Sequence, residues 1–139
     1  TEDNGPVWED SCVEFFVADP VGDGYFNFEI NCIGTALAAH RYSRNDARHF
    51  DEARMSRIRR ITSLPHASID VRGEGQRWWL VEVIPFELLG LGEAPRRLKA
   101  NFYKCGDKCA QPHFLSWAPV RTPQPDFRRP EFFGEIVLL

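Results

Sequence analysis

The chain alternates apolar and polar residues with a period of two over several segments, which is typical of β-strands. In the segment CVEFFVA, the apolar side chains Val13, Phe15 and Val17 share one face. We expect this face to pack on the core. The pattern therefore predicts that Phe15→Ala costs about 3–5 kcal/mol of stability and that Phe16→Ala costs clearly less.

A second predicted strand follows a Gly-rich turn. The segment YFNFEINCI places Phe26, Phe28 and Ile30 on one side, and its other side carries Asn27 and Glu29. Two strands joined by the short VGDG turn form a β-hairpin. The hairpin should therefore present one apolar face and one face that carries amides and a carboxylate.

The alternation disappears between about Ala36 and Pro65, where we expect a long loop with one or two helical turns near residues 46–55. Strands are predicted again in the segments SIDVRG, RWWLVEVIPFELLG, LKANFYK and FFGEIVLL. In the second of these, Trp79, Val81 and Val83 alternate as in a buried strand. Strands with so little helical periodicity predict an all-β fold, an antiparallel, jelly-roll-like β-sandwich.

Composition and charge limit the classes of function. At 139 residues, with 43% hydrophobic and 13% aromatic content, the chain suits one domain with its own core, and we assign residues 1–139 to it. A formal net charge of −3 argues against a nucleic-acid or anionic-membrane surface. No apolar run approaches the roughly 18 residues of a membrane span.

Five segments resemble, in order, the carbohydrate-binding family 9-like domains, relatives of the family 9 modules appended to xylanases. They are WEDSCVEFF, YFNFEINCIGT, WWLVEVIPFELLG, ANFYKCGD and PHFLSWAPVRTPQPDFRRPEFFGEIVLL. Family members usually carry further strands before the W-x-D-S segment, whereas this chain begins seven residues before Trp8. We therefore expect residues 1–139 to form the C-terminal and larger part of such a domain, which a further segment or a second chain completes.

The resemblance implies a sugar held between two Trp rings, with a carboxylate and amides that bind its hydroxyl groups. Its motifs place Trp8, Glu14 and Trp117 in this site, and an alignment across the strands adds Asn27 and Asn101. An indole face attracts the polarised C–H groups of a pyranose ring, and carboxylate and amide oxygens accept hydrogen bonds from its hydroxyls. The implied site binds a carbohydrate and contains no catalytic residue.

The same resemblance implies the setting in which the domain works. It describes a non-catalytic module that keeps a polysaccharide-processing system near its oligosaccharide or polysaccharide substrate. A secreted, periplasmic or cell-surface location follows. No cofactor is expected, apart from the structural calcium that some relatives hold, and no metal ligand is assigned.

Two other functions each fit part of the sequence. Glycoside hydrolysis commonly needs a pair of carboxylates, and Glu14 and Glu29 can face each other across the hairpin. Haem binding, which occurs in related sandwiches, would use Met and His ligands, and the chain has one Met, Met55, and four His. Release of reducing sugar would reveal the enzyme, and a visible absorption spectrum would reveal haem.

The four cysteines leave their chemical state open. No second Cys/His pair lies at zinc spacing from Cys105 and Cys109 in the segment KCGDKCA. The sequence therefore favours a loop disulfide between these two residues in an exported protein, or free thiols, over a metal site.

Overall fold

The computed structural model describes residues 1–71 and 76–139. Strands make up most of the regular structure in these two ranges. They are β1 (Cys12–Ala18), β2 (Tyr25–Asn31), β3 (Ala36–Arg41), β4 (Ala47–His49), β5 (Arg59–Thr62), β6 (Leu80–Val83), β7 (Arg97–Cys105), β8 (Phe114–Ser116) and β9 (Gly134–Val137). The helical segments are short: α1 (Glu52–Met55) and the 3-10 helices Val7–Glu9, Phe86–Leu89 and Pro130–Phe132.

Seven of these strands form one sheet in the order β4-β3-β2-β1-β7-β8, and β9 also pairs with β7. β5 and β6 form a separate two-stranded sheet. Each of these strand pairs is antiparallel, so the predicted antiparallel β-sandwich is confirmed. Across residues 1–71 and 76–139, no helix combines the length and the apolar character that crossing a membrane requires.

The main core covers one face of the seven-stranded sheet, which we call the apolar face and which carries Val17, Phe28 and Ile30. These three side chains are at most 1% exposed. Alternation along β1 and β2 places them together, as predicted from the sequence. They pack against side chains from the helical turns and from the segments around β5 and β6, namely Phe50, Met55, Ile58, Leu80, Ile84, Phe86, Leu88 and Leu89.

The opposite face, which we call the polar face, is also buried. It carries Glu14 and Phe16 of β1, and Phe16 is 1% exposed within a buried cluster that also contains Tyr25, Tyr103 and Phe133. Phe15, on the apolar face, is only half-buried. Burial therefore does not support the expectation that Phe16→Ala costs less stability than Phe15→Ala. The C-terminal segment folds back over the polar face and buries Phe16.

Residues 36–62 differ most from the sequence prediction. The stretch expected to be a long loop contains β3, β4, α1 and β5. The sequence of β3, ALAAHR, shows no alternation because the strand is buried on both faces, with Ala38 and Ala39 fully inaccessible. Alanine has a weak strand preference, so the pairing of β3 with β2 decides its conformation.

The strand predicted in RWWLVEVIPFELLG is shorter and more exposed than expected. β6 begins at Leu80, and Val81 and Val83 are about half exposed, at 47% and 49%. The strand predicted in SIDVRG is not formed at residues 68–71, and its last two residues lie outside the described ranges. β6 is therefore an exposed strand of a small sheet.

Candidate binding site

A pocket of about 110 Å³ opens on the polar face of the seven-stranded sheet. Four of its lining residues lie on strands: Glu14 on β1, Glu29 on β2, Cys105 at the end of β7 and Phe114 at the start of β8. The others come from the surrounding segments, and they are Trp8, Arg44, Asp107, Pro125, Asp126, Phe127 and Arg128.

Strand register brings the two floor carboxylates together. Glu14 and Glu29 are directly opposite each other in the β1–β2 pair, and Tyr103 is opposite Glu14 in the β1–β7 pair. Residues paired in this way point to the same face of a sheet. The hairpin of the sequence analysis therefore supplies both carboxylates, at 6% and 1% exposure, from neighbouring strands.

Trp8 lies in a short 3-10 turn that is fixed to the end of β7. The backbone amides of Asp107 and Lys108 donate to the carbonyl oxygens of Trp8 and Glu9, at 3.1 and 2.9 Å. The Trp8 ring packs against a buried cluster that includes Val7 and Cys105. These contacts hold the half-buried indole at the edge of the pocket without covering it completely.

Phenylalanine rings form an apolar wall of the same pocket. Phe127 stacks on Tyr103 with ring centroids 4.2 Å apart, and the Tyr103 hydroxyl donates to the Phe127 carbonyl oxygen at 3.1 Å. The Phe114 ring meets Phe127 edge-on at 6.2 Å. The segment that closes the chain over the polar face is therefore anchored by aromatic contacts next to the floor carboxylates.

A chain of charged and amide groups crosses the polar face behind the pocket. Asn27 donates from Nδ2 to Glu29 Oε1 at 2.8 Å and accepts from Arg41 Nε at 3.0 Å. The Arg128 guanidinium lies 3.5 Å from the same Glu29 oxygen. Arg44 pairs with Asp126 at 2.9 Å and closes the outer edge. Both contacts of Glu29 in this network, with Asn27 and with Arg128, are made by its Oε1 atom.

Two buried polar atoms at this site have no hydrogen-bond partner within the described residues. They are Glu29 Oε2 and Arg128 Nε, one an acceptor and the other a donor. Buried polar atoms are almost always paired, so such atoms beside a pocket indicate where a ligand or water can bind.

Burial also changes the ionisation of the floor. Desolvation, followed by the charge of Glu29, raises the pKa of Glu14 well above its usual value. Desolvation likewise raises the pKa of Glu29, although Arg128 opposes the rise. The floor can therefore hold a carboxyl group that donates as well as carboxylate oxygens that accept.

Two of the five site residues predicted from the sequence line this pocket, Trp8 and Glu14. Asn27 and Asn101 are fully inaccessible. Asn27 is occupied by Glu29 and Arg41, as described above. Asn101 donates to the carbonyl oxygen of Ala118 at 3.0 Å and accepts from the Ala118 amide at 2.8 Å, so it ties the C-terminal segment to β7.

The structure does not bring Trp117 together with Trp8. The Trp117 amide donates to the Phe102 carbonyl oxygen, and the two rings meet edge-on at 5.9 Å. Phe102 stacks on Phe15, which belongs to the apolar face. Trp117, 55% exposed, therefore lies on the opposite side of the sheet from the pocket and is not one of the residues that line it.

A larger concave surface of about 430 Å³ also involves the apolar face, and it is lined by Val13, Gln76, Arg77, Trp78, Trp79, Leu80 and Lys104. The Trp78 indole donates to Ser11 Oγ at 3.1 Å, whereas Trp79 is 55% exposed. Unlike the smaller pocket, the concavity has no carboxylate among the lining residues that the structure describes.

The candidate haem ligand and the four cysteines lie in positions that bear on the other predictions. Met55, the candidate haem ligand, is 4% exposed within the main core. All four cysteines are free thiols, so the Cys105–Cys109 disulfide is not formed. Cys105 instead lies across from Cys12 in the β1–β7 pair.

Sequence reasoning missed the pocket residues of the C-terminal segment, among them Phe127 and Arg128. The motif PDFRRPEFFG contains them, but a Pro-rich loop has no periodicity that shows which side chains turn inward. Phe114 was missed as well, because a three-residue strand is too short to reveal an alternation.

Comparisons with known proteins bear on the family. A model of carbohydrate-binding family 9 matches residues 1–138. The fold is similar to the crystal structure of a candidate carbohydrate-binding protein from Bacteroides uniformis ATCC 8492, with a TM-score of 0.89 and 38% sequence identity. That match covers 98% of this chain and 64% of the length of the other. No curated protein matches the chain.

Proposed function

Because the chain belongs to carbohydrate-binding family 9, we propose that it binds a sugar in the pocket on the polar face. One observation carries this assignment. The pocket combines aromatic rings at its edge with buried polar atoms that have no hydrogen-bond partner in the described part of the chain. A sugar presents the complementary surfaces, since a pyranose ring has an apolar C–H face and a rim of hydroxyl groups.

Trp8 supplies the stacking surface in this proposal. If its ring covers about 60–80 Å² of the sugar's apolar face, burial at about 25 cal/mol per Å² contributes roughly 1.5–2 kcal/mol. That energy corresponds to about a 10- to 30-fold change in Kd. Phe114 and Phe127 add apolar surface on the same pocket.

In this proposal, polar groups of the pocket form hydrogen bonds with the hydroxyl groups of the sugar. Glu29 Oε2 accepts from one hydroxyl and Arg128 Nε donates to another, which gives a partner to two atoms that have none among the described residues. Glu14, whose Oε1 accepts from the Cys105 thiol at 3.0 Å, offers its second oxygen. Polar groups already fixed by the protein lose little entropy on binding.

The biological setting is proposed from the family. The domain acts as a non-catalytic module for an exported system that recognises or degrades polysaccharides, at the cell surface, in the periplasm or outside the cell. Structural calcium stays a prediction.

The test of the function is titration of the protein with a panel of oligosaccharides by calorimetry, after a glycan array has selected them. We expect saturable binding of at least one sugar at one site per chain. No binding to any glycan on the array, by protein with a cooperative thermal melt, would contradict the proposal.

Glycoside hydrolysis is the second candidate, because the pocket floor holds two facing carboxyl groups with raised pKa values. The same sugars, incubated with the protein, would release reducing ends if it were an enzyme. We expect no release, and a release that Glu29→Gln abolishes would replace the binding proposal.

A further inference from the structure

Three potential metal ligands meet at the floor of the pocket. Cys12 and Cys105 are directly opposite each other on β1 and β7, and Glu14 follows Cys12 by two residues on the same face. The two Sγ atoms and a Glu14 carboxylate oxygen all lie within 4.8 Å of one another. The three side chains are at most 6% exposed. We propose that this cluster binds a thiophilic divalent ion, with Zn²⁺ as the expected occupant.

The ligand set and its dimensions suit zinc. Zinc binds cysteine sulfur at about 2.3 Å and carboxylate oxygen at about 2.0–2.2 Å, so tetrahedral ligands are separated by roughly 3.5–3.8 Å. The two Sγ atoms and the Glu14 oxygen, all within 4.8 Å of one another, can reach these separations with small side-chain movements. Two thiolates disfavour Ca²⁺ and Mg²⁺, which bind oxygen atoms.

The cluster has an open side that an ion can reach. Glu14 and Cys105 line the pocket, whereas Cys12 lies behind them in a buried cluster with Val7 and Leu37. An ion bound to the three side chains would therefore direct its fourth coordination position towards the pocket. Three protein ligands with one open position are the arrangement of zinc sites that bind water or substrate.

The ion also resolves an electrostatic problem at the site. Three anions buried at this distance would repel one another strongly, and a divalent cation between them would replace that repulsion with metal–ligand bonds. The Cys105 thiol already donates to Glu14 at 3.0 Å, so two of the three ligands are in contact. Arg128, which contacts the neighbouring Glu29, compensates the remaining negative charge.

The other two cysteines provide matched controls. Cys32 and Cys109 are half-buried thiols that do not belong to the cluster. Serine at Cys12 or Cys105 removes a ligand, whereas serine at Cys32 or Cys109 removes a thiol and leaves the cluster intact.

The test uses reduced, chelator-treated protein without any sugar, so its outcome does not depend on the proposed function. Co²⁺ is titrated in, and the thiolate-to-cobalt charge-transfer band is recorded, followed by displacement with Zn²⁺. We expect one ion per chain in the parent and in Cys32→Ser and Cys109→Ser. We expect at least a tenfold loss of affinity in Cys12→Ser and Cys105→Ser.

A second measurement needs no variant and so does not depend on their folding. Alkylation of the parent protein is followed by mass mapping with and without Zn²⁺. Selective protection of Cys12 and Cys105 supports the site. The proposed metal site would be overturned if the reduced parent showed no charge-transfer band. It would also be overturned if Zn²⁺ left the alkylation of each of the four cysteines unchanged.

Discussion

Phe16 shows how a single residue can matter more than its pattern indicates. Alternation along β1 predicted its apolar face, but it also predicted a clearly smaller loss of stability for Phe16→Ala than for Phe15→Ala. In the structure the C-terminal segment covers the polar face, which carries Phe16. Two-sided burial is a property of tertiary structure, and alternation within one strand cannot reveal it.

We expect Phe16→Ala to cost about 3–5 kcal/mol of stability, since its ring is inaccessible and lies 5.0 Å from Tyr103 and 5.8 Å from Tyr25. Phe15→Ala should cost no more than this, because the Phe15 side chain is half-buried. Urea unfolding of both variants measures the two losses. A Phe16→Ala variant within 1 kcal/mol of the parent would contradict the buried position.

A second residue-scale expectation concerns Glu82 on β6. Desolvation raises the pKa of its carboxyl group to about 8, although Arg60 on the paired strand opposes the rise. The folded state therefore binds this proton more tightly than the unfolded state, where the pKa is near 4.5. Stability from the neutral carboxyl group is complete below about pH 4.5 and is lost as the pH rises through 8.

Glu82→Gln should remove this loss of folding stability at high pH. We expect the variant to be more stable than the parent by roughly 2–5 kcal/mol at pH 8 and to differ little at pH 4.5. The exposed Glu93→Gln serves as the control. Equal pH dependence of the unfolding free energy in parent and Glu82→Gln would show that the carboxyl group is solvated.

At the scale of elements, residues 118–133 cover the polar face of the sheet and form one side of the pocket. The sequence predicted a last strand in FFGEIVLL, and β9 does follow this segment. The inward side chains could not be predicted, because their positions depend on contacts with β7 that are distant in sequence. The buried Asn101 makes two of these contacts, with the amide and the carbonyl oxygen of Ala118.

We expect Asn101→Ala to destabilise the protein by about 2–4 kcal/mol, since it removes a fully buried amide and leaves the half-buried Ala118 amide and carbonyl without their side-chain partners. Thr122→Ala, which removes a hydrogen bond within the exposed part of the same segment, should cost less than about 0.5 kcal/mol. Thermal melts and hydrogen exchange at Ala118 compare them. Similar small losses in both variants would contradict the anchoring role.

At the scale of the whole molecule, the family resemblance predicted the fold class and the carbohydrate-binding family. The motif residues Trp8 and Glu14 do lie at one pocket. The resemblance also placed Trp117 in the site of Trp8, whereas in the structure the Trp117 ring lies beside Phe102 and is not among the residues that line the Trp8 pocket. Trp117 follows a short edge strand, and a shift of one residue there moves a side chain to the opposite face.

The central claim is that a sugar binds at the Trp8 pocket on the polar face. The most direct measurement is calorimetric titration of one responsive oligosaccharide against Trp8→Ala and Trp117→Ala, with thermal melts of both variants. Our account predicts at least a tenfold loss of affinity for Trp8→Ala and a change within about twofold for Trp117→Ala, with both variants folded. The sequence prediction that Trp117 also holds the sugar is tested at the same time. Unchanged binding by Trp8→Ala, or lost binding by a folded Trp117→Ala, would contradict the account.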